Sequence, residues 1–195
     1  MAFVLVDAFE VYSESAYAVG ESSLEAQNHV PGQMEASFLV TLFKFVQWPS
    51  PGSSNLATIC FLRSAGRPSV VQARLEFALK SHEKWTELPG RTIAVRALSR
   101  PEEIAGSESN PACQILYLDS RAATQFWPLH LSAPVLTVSD LKDFAYQGGM
   151  IQFIWDSQDT YRIAINPRNV TDSGLVVSGA LGTLADRVDS ARFAQ

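Results

Sequence analysis

The apolar positions between residues 35 and 48 recur with helical spacing. Phe38, Leu42 and Phe45 fall at i, i+4 and i+7, and Leu39, Phe43 and Val46 widen the stripe. Pro49 disfavours the α conformation at Trp48 and ends this helix, and Ser50-Pro51-Gly52-Ser53 then makes a loop. Beyond it, short apolar runs alternate with helix-like segments. Residues 58–62, 93–97, 113–118 and 134–138 read as strands covered on both faces. Residues 70–79 read as a helix, with Val71, Leu75 and Leu79 every four positions and Ser69 as its cap. Residues 101–104 are a short helix, and another opens at Ser139-Asp140. After Gly148-Gly149, residues 150–155 and 161–165 are two strands separated by the polar run Asp156-Ser157-Gln158-Asp159-Thr160. That spacing predicts an antiparallel hairpin at the sheet edge. Asn166 caps a helical turn with Pro167 at its first position, and residues 177–188 form a final helix. The pattern predicts a three-layer α/β domain: a mostly parallel sheet with helices on both faces and a C-terminal antiparallel hairpin.

Length and composition narrow this picture. A chain of 195 residues with 47% hydrophobic and 18% charged residues can bury one substantial core. We read a single domain over residues 34–190 behind an N-terminal lead, 1–33, that is polar from Tyr12 to Gln33. Met1 to Leu5 is apolar and Ala16-Tyr17-Ala18 resembles a cleavage site, yet Asp7 and Glu10 interrupt the pattern and no basic residue precedes it. The lead therefore reads as a degraded signal segment or as a disordered tail. A net charge of -5 without a basic cluster argues against nucleic acid as a partner. The longest apolar run, about residues 38–46, is interrupted by Thr41 and Lys44 and falls short of a bilayer, so the domain is not membrane-embedded. Cys60 and Cys113 fit one disulfide or two buried thiols. If their strands run parallel with ends level, the two lie roughly 10 Å apart along the sheet at about 3.3 Å per residue. A disulfide needs Cα atoms within about 7 Å.

No catalytic constellation emerges. Neither phosphate-binding glycine motif is present, and Gly148-Gly149 precedes a strand, as a tight turn would. No G-x-S-x-G occurs, and His29, His82 and His130 read as surface residues. No two His or Cys residues have metal spacing, so we expect neither metal nor cofactor. A phosphoacceptor receiver needs acids after its first and third strands. Asp119 follows the third, but Arg63-Ser64 ends the first, so Asp119 reads as a turn residue and Asp140 as a first-turn helix acid. Asn169-Val170-Thr171 matches a glycosylation sequon by three residues only. Phe38, Leu42, Phe45 and Trp48 form a stripe wide enough to be an interface, or a helix buried on both sides. Ser139, Asp140, Gly148, Gly149 and Met150 are candidate binding loops at strand ends.

The ordered segments Phe43-Lys44-Phe45-Val46-Gln47-Trp48-Pro49, Ile59-Cys60-Phe61-Leu62, Gly90-Arg91-Thr92-Ile93, Cys113-Gln114-Ile115-Leu116-Tyr117, Pro134-Val135-Leu136-Thr137-Val138-Ser139-Asp140, Gly148-Gly149-Met150-Ile151 and Ile165-Asn166, ending in Gly174-Leu175, resemble the YfiR-like family. The resemblance implies a periplasmic α/β protein, often a homodimer, that represses an inner-membrane diguanylate cyclase and so acts in cyclic-di-GMP signalling. It makes the protein a non-catalytic regulator whose partner is the extracytoplasmic domain of such a cyclase or of a histidine kinase. A small-molecule-sensing envelope domain is the alternative, and an enzyme of unknown class the third reading. Cys60 and Cys113 match one cysteine pair of the family, which implies a disulfide. A second pair found in some members is replaced here by Ala145 and Gln152, so redox control assigned to that pair does not transfer.

Overall fold

The computed structural model describes residues 30, 32–49, 55–106, 112–155 and 161–188. The expected signal segment, His29, the loop at 50–53 and the hairpin turn at 156–160 lie outside the described residues. In chain order the elements are α1 (Gln33–Phe45), β1 (Val46–Gln47), β2 (Leu56–Leu62), α2 (Val70–Lys80), β3 (Thr92–Leu98), β4 (Ile115–Leu118), α3 (Ser120–Phe126), β5 (Leu136–Ser139), β6 (Ile151–Trp155), β7 (Tyr161–Ile165), α4 (Pro167–Asp172), β8 (Val176–Val177), α5 (Gly179–Leu184) and β9 (Asp186–Arg187). Two 3-10 turns, Lys84–Thr86 and Pro101–Ala105, flank β3.

Seven strands form one sheet in the order β3-β2-β4-β5-β6-β7-β9. The first five are parallel, β6 and β7 pair as the antiparallel hairpin, and β9 adds in parallel to β7. The hairpin is therefore not quite the edge, because Asp186 and Arg187 pair with Ala164 and Ile165 outside it. Among the five parallel strands the order is that of a flavodoxin-like doubly wound sheet, with its switch point between β2 and β4.

Strand periodicity divides the core into two layers. Ile59, Phe61, Ile115, Tyr117, Leu136 and Val138 face α1 and α2, whereas Cys60, Leu62, Leu116 and Leu118 face α3, Ile104 and Phe144. All of these residues are buried, as expected of parallel strands covered on both sides. Ser69 and Asn166 cap their helices as expected, whereas Asp119, read from the sequence as a turn residue, caps α3, a helix not expected from the sequence. Ser69 Oγ accepts from Gln72 N–H at 3.1 Å, Asn166 Oδ1 from Asn169 N–H at 3.1 Å, and Asp119 Oδ1 from Ala122 N–H at 2.8 Å.

Three expected elements differ. The first helix stops at Phe45, because Val46 and Gln47 leave it to pair antiparallel with Val177 and Val176. That pairing, with β9, divides the expected final helix into β8, the six-residue α5 and β9. Residues 141–148 form successive turns rather than a helix, the first made by Ser139 Oγ accepting from Leu141 N–H at 3.0 Å.

A clasp at the amino ends of the strands ties these layers together. Gln114 Oε1 accepts from Arg91 Nη2 at 2.7 Å and from Thr58 N–H at 3.2 Å, and its backbone carbonyl accepts from Trp48 Nε1 at 3.2 Å. The Arg91 guanidinium also lies 4.8 Å from the centre of the Phe43 ring.

Candidate functional site

Cys60 and Cys113 form a disulfide with Cα atoms 5.7 Å apart, well inside the permitted range. The straight-strand geometry fails because Cys113 does not begin a strand. It precedes β4 in a bend, where Cys113 N–H donates to the Ile104 carbonyl and Gln114 N–H to that of Thr58, both at 3.1 Å. The chain thus approaches over the face on which Cys60 packs with Leu62 and Ile104, and both cysteines are buried.

At the switch point between β2 and β4, where doubly wound sheets place their ligands, the polar groups satisfy one another. Arg63 Nε donates to Gln72 Oε1 at 3.0 Å, and Gln72 Nε2 to Glu76 Oε1 at 2.7 Å. Ser64 Oγ donates to Gln125 Oε1 and Ser120 Oγ to Asp140 Oδ1, each at 2.9 Å. Asp119 is occupied capping α3. Burial pushes the Asp140 carboxyl above its ordinary range and the Asp119 charge adds to this, while the Ser120 hydrogen bond opposes it. A raised pKa means that the folded state holds the proton more tightly than the unfolded state, so Asp140 destabilises the fold as pH rises above the ordinary aspartate range. Asp140→Asn keeps an acceptor for Ser120. It should raise the urea midpoint slightly at pH 7 and lose that gain below pH 3, as followed by fluorescence-monitored unfolding.

The candidate loops are largely packed. Ser139 has no exposed surface and Met150 is 6% exposed. A Cβ at Gly149 would overlap the Phe144 ring, which is itself fully buried against Trp127 at a centroid distance of 4.5 Å. Gly149 is therefore glycine because the ring needs its space, and Gly149→Ala should cost about 2 kcal/mol through overpacking, measurable as a lower urea midpoint. Ala145 and Gln152 are neighbours through a 3.3 Å hydrogen bond from Ala145 N–H to Gln152 Oε1, and the Ala145 carbonyl accepts from buried Asn166 Nδ2 at 2.8 Å.

The aromatic stripe is divided in its surroundings. Leu42 is fully buried, and Phe38, Phe45 and Trp48 are half-buried against the same core. Phe38 meets Phe153 edge to face at 5.7 Å, and Trp48 is held by Gln114 and Phe43. The face of α1 that enters the core is instead Ala36, Leu39, Val40 and Leu42. His82 and His130 are exposed.

One concave surface near this stripe draws on segments the sequence did not bring together. A groove of about 590 Å³ runs between α4, β8, α5 and β9, with an apolar floor of Ile165, Val170 and Leu175 and Arg187 at its rim. Val176 lines it and is 58% exposed, and Leu184 on α5 is 67% exposed. Ser178 Oγ, also in the lining, is buried without a hydrogen-bond partner among the described residues. The Ser178 N–H donates to the Phe45 carbonyl at 2.8 Å, which joins the groove to the end of the α1 stripe.

Fold and site together define a doubly wound α/β domain whose switch-point crevice is internally satisfied and which carries a concave surface with an apolar floor. The chain belongs to the YfiR/HmsC-like family, whose model matches residues 32–186. No curated protein matches the sequence. Among solved structures, the chain is similar to the ABC domain in complex with L-Trp from Streptococcus pneumonia, at 16% identity and a TM-score of 0.49, covering 78% of this chain and 61% of that one. It is also similar to a conserved domain protein from Vibrio cholerae, at 12% identity and a TM-score of 0.43, covering 78% and 59%. The chain spans about three fifths of each of these structures, and neither likeness bears on its activity. Among the described residues, no helix is long and apolar enough to cross a membrane, and no three His, Cys, Asp or Glu come together as a metal-binding group.

Proposed function

We propose that the protein is a non-catalytic periplasmic regulator that binds the extracytoplasmic part of an inner-membrane signalling protein, such as a diguanylate cyclase, and holds it inactive. The observation that carries this reading is membership of the YfiR/HmsC-like family across residues 32–186. A binding protein restrains its partner only through a higher affinity for the inactive state, so it needs a contact surface rather than reactive groups. The groove lined by Val176 and Ser178, with exposed Leu184 next in sequence to its lining residue Thr183, supports the reading, since exposed apolar side chains near a buried hydroxyl without a partner among the described residues are suited to a protein contact. In this reading the half-buried Phe45 and Trp48 extend the contact surface, and the protein acts as a homodimer. Affinity capture from solubilised envelope membranes is expected to recover a membrane protein with an extracytoplasmic domain and a cytoplasmic cyclase or kinase domain. Recovery of no such protein overturns the proposal.

A further inference from the structure

A second concave surface, sharing no lining residue with the proposed contact groove, lies at the amino end of β3. This groove, of about 770 Å³, collects cations from separate parts of the chain: Lys44 from the end of α1, Lys84 from the 3-10 turn and Arg91 from just before β3, with His82 at the rim. Among the described residues of its lining, Glu87 is the one acid. Among the described residues, Lys44, Lys84 and Arg91 take part in no salt bridge. In a chain of net charge -5, such a local excess of unpaired positive charge runs against the overall balance.

Arg91 is the most telling of the three. Its Nη2 is spent on the Leu56 carbonyl and Gln114 Oε1, both at 2.7 Å, and its plane covers Phe43. Its Nε and Nη1 donate to no acceptor among the described residues, although partial burial disfavours the charged guanidinium. A fixed, partly desolvated guanidinium with donors to spare is preorganised for an anion. Leu79, Leu88 and Ile93 supply an apolar wall beside it. His82 adopts a left-handed backbone (φ 51), a conformation that non-glycine residues hold mainly where the surroundings demand it.

We infer that this groove binds a small amphiphilic anion, with its phosphate or carboxylate on Arg91, Lys44 and Lys84 and its apolar body on Leu79 and Ile93. The inference is independent of the partner proposed above, because the two grooves share no lining residue.

Calorimetric titration of the full chain with 1-naphthyl phosphate tests it, with 1-naphthol and anionic phosphatidylglycerol vesicles as comparisons. Saturable binding of naphthyl phosphate is expected, weakened about tenfold by the charge-reversing Lys44→Glu/Lys84→Glu variant and by raised salt, with no binding of naphthol. Both lysines are exposed, so the variant should keep the native circular dichroism spectrum and melting temperature. Equal binding in the variant, equal binding of naphthol, no binding of naphthyl phosphate, or binding of vesicles alone would each overturn the inference.

Discussion

Replacing both cysteines, Cys60→Ala with Cys113→Ala, should lower the stability of the fold by about 4 kcal/mol in the chain-entropy model for a loop closed over a separation of 53 residues. For a domain of this size that corresponds to a fall in melting temperature of roughly 10 °C. The effect is large because the bridge joins β2 at the centre of the sheet to the segment that enters β4, its neighbour across the switch point. Removing it frees the whole β3 crossover in the unfolded chain. Both sulfurs lie in the core layer shared with Leu62, Ile104 and Leu116, so the substitutions also leave small cavities. Urea unfolding with and without reductant should move the wild type toward the double variant and leave the variant unchanged. Coincident curves for all four conditions, with two alkylatable thiols in unreduced protein, would refute the bridge as a stabilising element.

Placing one charge in the apolar groove and one beside it, as Val176→Asp with Leu184→Asp, should separate folding from partner binding. Both side chains are more than half exposed, so their replacement should change stability by no more than about 0.5 kcal/mol each. In the proposed contact they meet apolar atoms of the partner, where a desolvated carboxylate is costly. Affinity for the captured partner should fall at least tenfold, equivalent to about 1.4 kcal/mol. A double variant that unfolds would show that the groove belongs to the core. One that folds and binds as the wild type does would move the contact elsewhere. The comparison of interest is with Phe38→Asp, which breaks the edge-to-face contact with Phe153 and is expected to destabilise the domain itself.

The parallel sheet was legible because its strands are short apolar runs buried on both faces, and the helix at Val70–Lys80 because Ser69 caps a four-residue repeat. What escaped was decided by distant pairing or by small residues. Val177, Leu181, Leu184 and Val188 carry a helical spacing, but Val176 and Val177 are taken by Val46 and Gln47, and Arg187 by Ile165. No local pattern encodes those partners. The helix at Ser120–Phe126 buries mainly Ala122 and Ala123, too small to stand out as a stripe, and its cap, Asp119, reads in the sequence as a turn residue. Cys113 lay beyond reach in a straight-strand reading because a bend brings it over Cys60. At the end of β2, Arg63 and Ser64 are taken up by Gln72 and Gln125, partners that the sequence does not announce. The groove around Val176 and the cation cluster around Arg91 each draw on separated segments, and neither has a contiguous motif.

The central claim is restraint of a membrane signalling enzyme by contact. The most direct test is the intracellular cyclic-di-GMP level in cells that carry the candidate cyclase and either lack this protein, express it, or express the Val176→Asp/Leu184→Asp variant at equal abundance. The account predicts a high level without the protein, a low level with it and a high level with the variant. An unchanged level whether or not the wild-type protein is present would contradict it.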